Sequence, residues 1–91
     1  MSVALDPTQA PGEEGALQQG VATVDALIIT LIALRRTLSA EVARTRLRSG
    51  LVQTSLSWEN KVIGSFSEGL GQQGVRVALL LLGMSRIDGQ G

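Results

Sequence analysis

The sequence predicts an all-α protein of three helices, with one long helix on the N-terminal side. Two observations support this fold class. The stretch from about Glu14 to Arg48 contains no proline and repeats apolar residues at helical spacing. Downstream, glycines separate two shorter apolar segments, and the run 75–82, which has the composition of a strand, has no second strand to pair with.

The first helix is predicted from apolar residues that follow the i, i+3, i+4, i+7 pattern of an amphipathic helix. They are Val24, Leu27, Ile28, Leu31, Leu34, Leu38 and Val42. Ser49-Gly50 ends this helix, whose length is about 50 Å at 1.5 Å per residue. A chain of 91 residues cannot cover so long an apolar face by itself, so we expect another chain to bury part of it.

Two shorter helices are predicted after a loop over 51–55. The side chains that can cap the second helix are Thr54, Ser55 and Ser57. Gly69 and Gly71 end that helix, and the third runs over about Gln73–Arg86. Its segment 75–84 is apolar almost all round, which predicts burial.

The chain is predicted to hold one domain. Residues 1–12 contain both prolines and are expected to be a flexible tail, 13–87 form the helical domain, and 88–91 form a second tail. The start has no basic segment followed by an apolar core, so we expect no secretory signal and a cytoplasmic protein. We also expect no membrane association, because the apolar run 21–34 is shorter than the roughly 20 residues of a span and contains Asp25.

The composition restricts the chemistry. The chain has no cysteine, histidine or tyrosine, which removes thiol nucleophiles, the commonest metal ligand and the usual acid–base residue at neutral pH. We therefore expect no metal and no cofactor, and an enzyme with this composition must catalyse a reaction that needs little proton transfer. The net charge is zero and the only aromatic residues are Trp58 and Phe66, which argues against nucleic-acid binding.

Positive charge is concentrated in one segment of the first helix. Residues 35–48 carry five arginines against one acidic residue. At 100° per residue, Ser39 and Arg46 lie within about 40° of Arg35, so two guanidiniums and a hydroxyl share one stripe about 16 Å long. Spacing alone leaves two interpretations open, a solvated cationic face or a site for a planar anion such as a carboxylate.

A resemblance extends this interpretation. The residues that carry it are Val24-Asp25-Ala26, Ile29, Leu31, Arg35-Arg36, Leu38-Ser39, Val42, Arg46, Ser49-Gly50 and, after the loop, Glu59-Asn60-Lys61-Val62-Ile63. In order and spacing the chain resembles the all-helical chorismate mutases over about residues 14–87, and it is most similar to their short subgroup. That resemblance implies an intertwined homodimer of three-helix chains that catalyses the Claisen rearrangement of chorismate, a dicarboxylate, to prephenate.

The reaction implied by the resemblance transfers no proton and forms no covalent intermediate. It depends on positioning and on electrostatic stabilisation, which a protein without histidine, cysteine and tyrosine can supply. The resemblance assigns Arg35 to a substrate carboxylate, Arg46 to the breaking ether oxygen and Glu59 to the substituent at ring carbon 4. Ser39 matches a family position with a structural role more than a catalytic one. Arg86 is a further candidate for substrate binding, or else a charge at the end of a helix.

Two positions depart from the family pattern. The first helix of the family normally sends an arginine into the active site of the second chain, and here that position holds Gln18. The residue before the helix-two glutamate is also usually arginine, and here it is Trp58. The departures leave three alternatives within the family: a weak chorismate mutase organised by a partner, a mutase of 4-amino-4-deoxychorismate, or a non-catalytic regulatory relative. A further alternative, outside the family, is a helical dimerisation protein.

The resemblance also implies a protein partner. Members of the short subgroup dock onto the first enzyme of the shikimate pathway and are activated by it. The C-terminal segment 85–89 of this chain is only loosely similar to the Arg/Gly-rich tail of that subgroup.

Overall fold

The fold consists of three α-helices. The structure, a computed structural model, describes residues 10–85, with side chains from residue 12 onwards. The helices are α1 (Ala10–Arg48), α2 (Leu56–Leu70) and α3 (Gln72–Met84), and the described residues contain no strand. The predicted all-α fold with one long first helix is confirmed. α1 begins at Ala10, a few residues before the expected start, and the predicted tail 88–91 lies outside the described residues.

The chain divides into two compact units, residues 1–31 and 32–91, and α1 contributes to both. The described part of the first unit is the helical segment 10–31. Its large apolar side chains are exposed, from 71% for Leu17 to 47% for Ile28. Gln18, on the same segment, donates from Nε2 to Oε2 of Glu14 at 3.2 Å. This segment therefore presents apolar surface that its own unit does not cover.

In the second unit, α2 and α3 pack against each other as an antiparallel pair. Val62 of α2 is clustered with Ala78 and Leu82 of α3, and the partly buried Ile63 and Phe66 pack against this cluster. Gly71, at φ 72°, is the single residue between the two helices. This positive φ favours glycine, and it lets the chain reverse within one residue.

The pair is close because one α3 position has no side chain. A Cβ built on Gly74 would overlap the backbone carbonyl oxygen of Phe66, and it would lie 2.6 Å from that carbonyl carbon and 3.0 Å from Cβ of Leu70. Glycine at this position therefore sets the distance between α2 and α3.

Local signals place the loop between α1 and α2. α1 ends in a Schellman motif, in which Leu51 N–H donates to Arg46 O at 2.9 Å and Gly50 N–H to Leu47 O at 3.0 Å, with Gly50 at φ 81°. Of the three candidate caps, Ser55 is the N-cap of α2, and its Oγ accepts from Trp58 N–H at 3.0 Å.

The predicted burial of the third helix is met on one face only. Gly74, Ala78, Leu81 and Leu82 are buried. Leu79 and Leu80 remain 54% and 69% exposed. The reason is that α3 packs against α2 along one side, so an apolar residue on the other side has nothing in this unit to cover it.

The segment Gly12–Arg48 of α1 passes a test for membrane spans by length and composition, with a mean hydropathy of 1.7 over its most apolar window. A single helix of this kind, near the N-terminus, is weak evidence for a span.

Candidate functional site

The burial of the arginines on α1 follows their position around the helix. Arg35 and Arg46 are half-buried, as is Ser39 between them, whereas Arg36, Arg44 and Arg48 are exposed. Arg44 Nη1 forms an ion pair with Glu41 Oε2 at 2.9 Å on this exposed side. The stripe of Arg35, Ser39 and Arg46 is therefore less exposed to solvent than the other arginines of the same helix segment.

A cavity of about 240 Å³ lies beside the stripe, within the second unit, and we call it the Arg46 cavity. α1, the α1–α2 loop, the start of α2 and the end of α3 all contribute to its wall. The lining residues are Ser39, Val42, Ala43, Arg46, Gln53, Thr54, Ser55, Trp58, Glu59, Leu82 and Ser85. The cavity combines a cation, a carboxylate and several hydroxyls with an apolar floor, a combination that suits a small, polar organic anion.

The α1–α2 loop holds the side chain of Arg46. Its Nε donates to the carbonyl oxygen of Val52 at 2.8 Å. A guanidinium carries four further N–H donors on its two terminal nitrogens, in a planar arrangement that matches a carboxylate or an anionic oxygen. The loop thus fixes one edge of the cation, and the terminal nitrogens can serve an anion in the cavity.

Trp58 and Glu59 reach the cavity from the first turn of α2. The Ser55 cap starts this turn, and Glu59 N–H continues it by donating to Ser55 O at 3.0 Å. The two neighbours therefore place an indole face and a carboxylate side by side in the wall of the Arg46 cavity.

Arg35 lines a different cavity, of about 520 Å³, which we call the Arg35 cavity. Its lining residues are Arg35, Leu38, Ser39, Val42, Trp58, Lys61, Val62, Ser65 and Phe66. Ser39, Val42 and Trp58 line both cavities, so the two cavities adjoin. The two predicted anion-binding arginines thus line adjoining cavities.

One hydrogen bond nevertheless links Arg35 to the Arg46 cavity. Arg35 Nη1 donates to Oγ of Ser85 at 3.0 Å, and Ser85 lines the Arg46 cavity. Sequence reasoning did not select Ser85 or the carbonyl of Val52. A serine after an apolar helix resembles any helix-end residue, and a backbone carbonyl leaves no signal in the residue type.

Two predicted residues, Gln18 and Arg86, remain. Gln18 belongs to the first unit, on the segment 10–31, and Arg86 lies outside the described residues. Among residues 10–85 no group of three or more acidic, histidine or cysteine side chains is arranged to hold a metal ion.

Comparisons with known proteins show a likeness to a solved structure. No protein-family model matches the chain, and no curated protein matches it. A similar solved structure is the non-covalent complex of DAHP synthase and chorismate mutase from Corynebacterium glutamicum, with a bound transition state analog. The TM-score is 0.81 at 26% identity, and the match covers 85% of this chain and 93% of that chain.

The chain has a fold of the chorismate mutase type. The predicted family and the predicted enzyme class, a chorismate mutase-type isomerase, are confirmed by this neighbour. The confirmed likeness is that of the three-helix fold over most of both chains. In this fold the Arg46 cavity lies where α1 meets the start of α2 and the end of α3.

Proposed function

We propose that the chain catalyses the Claisen rearrangement of chorismate to prephenate in the Arg46 cavity. The observation that carries the proposal is that Arg46 and Glu59 both line one cavity of a chorismate mutase-type fold. The absence of histidine, cysteine and tyrosine from the sequence agrees with a reaction that moves no proton.

In this proposal the residues act by positioning and by charge. The terminal nitrogens of Arg46 donate to the ether oxygen, which gains negative charge as its bond to carbon breaks. Stabilisation of that charge lowers the barrier because the donors are already in place when it develops. Glu59 binds the substituent at ring carbon 4, and Arg35 binds a carboxylate, so the substrate is held in the folded conformer that reacts. Ser39 supports the stripe between the two arginines.

The proposed active form is a homodimer. Its support is the apolar surface of α1, where Leu27, Leu31 and Leu34 are 56%, 61% and 52% exposed in the single chain. A second copy has the same surface and can cover it in a symmetric interface. In such a dimer Gln18 of one chain is proposed to enter the cavity of the other and to donate a neutral hydrogen bond to a carboxylate. A neutral donor is weaker than a guanidinium, so we expect modest affinity for chorismate.

The direct test is turnover of chorismate by the purified chain, followed by the loss of its enol-ether absorbance. We expect saturable conversion to prephenate, and a Glu59→Gln variant should raise KM if the carboxylate contacts the ring substituent. Binding without turnover would favour a non-catalytic regulatory relative. No binding and no turnover would leave a helical dimerisation protein.

A second substrate, 4-amino-4-deoxychorismate, is favoured by one specific observation. Trp58 lines the cavity next to Glu59, at the position where the family usually has arginine. The ammonium group of this substrate would be repelled by an arginine, whereas an indole face attracts a cation and Glu59 can pair with it. We propose that Trp58 widens the substrate range of the site towards the amino analogue.

Trp58→Arg tests this second proposal. We expect the ratio of kcat/KM for the amino analogue to that for chorismate to fall by about tenfold, since a cation–π contact and a repulsion together amount to about 1–2 kcal/mol. The matched control is Trp58→Phe, which keeps an aromatic face without charge and should keep the ratio within about threefold. An unchanged ratio in Trp58→Arg rules the proposal out.

We further propose that the chain forms a complex with a DAHP synthase, the first enzyme of the shikimate pathway. The support is that the similar solved chain is part of a non-covalent complex with that enzyme. Mutase activity measured with and without the DAHP synthase of the same organism tests this. A rise in kcat/KM that saturates with added synthase is expected, and equal rates with and without it contradict the proposal.

The proposed location is the cytoplasm, as a soluble protein that binds no nucleic acid and no membrane.

A further inference from the structure

Ser85, the residue that caps the end of α3, is in contact with a predicted substrate-binding cation. Its Oγ donates to the carbonyl oxygen of Leu81 at 2.8 Å and accepts from Arg35 Nη1 at 3.0 Å. Its backbone N–H donates to Leu81 O and Leu82 O at 3.1 and 3.3 Å. The last turn of α3 therefore fixes both the backbone and the hydroxyl of Ser85.

The direction of these bonds decides what Ser85 can do. A serine hydroxyl has one donor and two lone pairs. The donor is used on the Leu81 carbonyl, so only lone pairs face outward, and these attract a guanidinium and repel a carboxylate. Ser85 in this arrangement is suited to hold Arg35 and unsuited to bind a substrate carboxylate itself.

Holding Arg35 in one place has an energetic benefit. A free arginine side chain samples many rotamers, and fixing it when a ligand binds costs conformational entropy. A side chain that is already fixed avoids that cost at the moment of binding. The bond from Arg35 crosses 50 positions of the sequence, so it also joins the α1 stripe to the end of α3.

We propose that Ser85 is a positioning residue, which orients the guanidinium of Arg35 from the C-terminal end of α3 so that it meets a substrate carboxylate at the edge of the Arg46 cavity. This inference rests on the proposed function for its kinetic consequences. Its structural content, that Ser85 immobilises Arg35, stands independently of the reaction.

The kinetic test compares two variants of nearly equal shape, Ser85→Thr and Ser85→Val. The threonine keeps the hydroxyl and is expected to retain a KM close to the unmodified value. The valine removes it, and we expect KM for chorismate to rise about tenfold with kcat within about threefold, as for the loss of one hydrogen bond to a charged group in substrate binding. Equal KM values for the two variants would contradict the proposal.

A matched control is available at the end of α1. Ser49 Oγ donates to the i−4 carbonyl of Thr45 at 3.1 Å, as Ser85 does to Leu81, but without an arginine on its lone pairs among the described residues. Ser49→Val should therefore leave KM unchanged while it removes a comparable helix-end hydrogen bond. A KM increase as large as that of Ser85→Val would point to a general helix-end effect and against positioning.

A double substitution separates action through Arg35 from direct action. In an Arg35→Ala background, Ser85→Val should have no further effect on KM, because its partner is already absent. A further rise of the same size would mean that Ser85 contacts the substrate itself.

A readout without turnover distinguishes failure of this inference from failure of the proposed function. The Nε–H signal of Arg35 in nitrogen-15 NMR, assigned by its loss in Arg35→Lys, should be ordered in the unmodified chain and in Ser85→Thr. It should become mobile on the picosecond to nanosecond timescale in Ser85→Val. An ordered Arg35 in all three would overturn the positioning role even in an active enzyme. A chain that shows the expected mobility change but no turnover retains the positioning role and loses the proposed reaction.

Discussion

At the scale of the residue, the side chain of Arg46 is held by a backbone carbonyl. The hydrogen bond from its Nε to the carbonyl of Val52 ties the cation to the α1–α2 loop. Helical spacing predicted that Arg35 and Arg46 share a stripe with Ser39, and all three are half-buried. Spacing could not predict that Trp58 lines both cavities, because this depends on how α2 meets α1.

Replacement of Arg46 by alanine is expected to lower kcat by about 10²–10³-fold, because it removes the donor that meets charge in the transition state. Circular dichroism should show little change in helicity, since the residue is near the end of α1. Arg44→Ala is the control, as Arg44 lies on the same helix turn but pairs with Glu41 at the surface. If Arg46→Ala retains kcat, the mechanistic role proposed for Arg46 is wrong.

At the scale of the element, α2 and α3 form a pair whose spacing depends on Gly74. The sequence predicted the helix boundaries to within a few residues, because Gly50, Ser55 and Gly71 are strong local signals. It did not distinguish Gly74 from other helical glycines. The difference is a tertiary one, the nearness of the Phe66 carbonyl.

Gly74→Ala should destabilise the chain by about 1–3 kcal/mol, because the added methyl overlaps backbone atoms that cannot move independently. Gly83 lies on the same helix with nothing near its Cβ position. Gly83→Ala should be neutral or stabilising by up to about 1 kcal/mol through helix propensity. Urea unfolding of the two variants checks this, and a Gly74→Ala chain as stable as Gly83→Ala contradicts the close approach.

The cap of α2 gives a second prediction at this scale. Ser55→Ala removes the acceptor of Trp58 N–H and should lower the free energy of unfolding by about 1 kcal/mol. Ser57→Ala changes an exposed hydroxyl in the first turn and should have an effect within about 0.5 kcal/mol. Thermal unfolding at equal protein concentration compares the two, and equal losses would mean that Ser55 does not act as the cap.

At the scale of the whole molecule, the chain buries few of its large apolar residues. The buried hydrophobic residues among those described are Ala43, Val62, Ala78, Leu81 and Leu82. The length of the first helix predicted that a single chain leaves apolar side chains exposed. The exposed side of α3 adds to this apolar surface. The sequence could not indicate which parts of these apolar faces contact each other in an assembly. Apolar contacts are not directional, so an apolar stripe does not specify the surface that it packs against.

Leu27→Glu is expected to convert the proposed homodimer into a monomer or an unfolded chain, because it places a charge on the apolar face of α1. Ala26→Glu, on the side of the same helical segment away from the apolar stripe and about two turns from Gln18, should leave the assembly intact. Light scattering gives the mass of each variant, and the Tm of the unmodified chain should rise with protein concentration. A folded monomer at every concentration would refute the homodimer.

The position of Trp58 has a practical consequence for work on this protein. It is the sole tryptophan, the chain has no tyrosine, and its indole forms part of the wall of both cavities. Near-ultraviolet excitation therefore addresses one fluorophore only. A ligand that enters either cavity alters the polarity and quenching around that ring. The native chain thus carries an intrinsic optical probe for titrations, and rapid mixing can time ligand entry without any label.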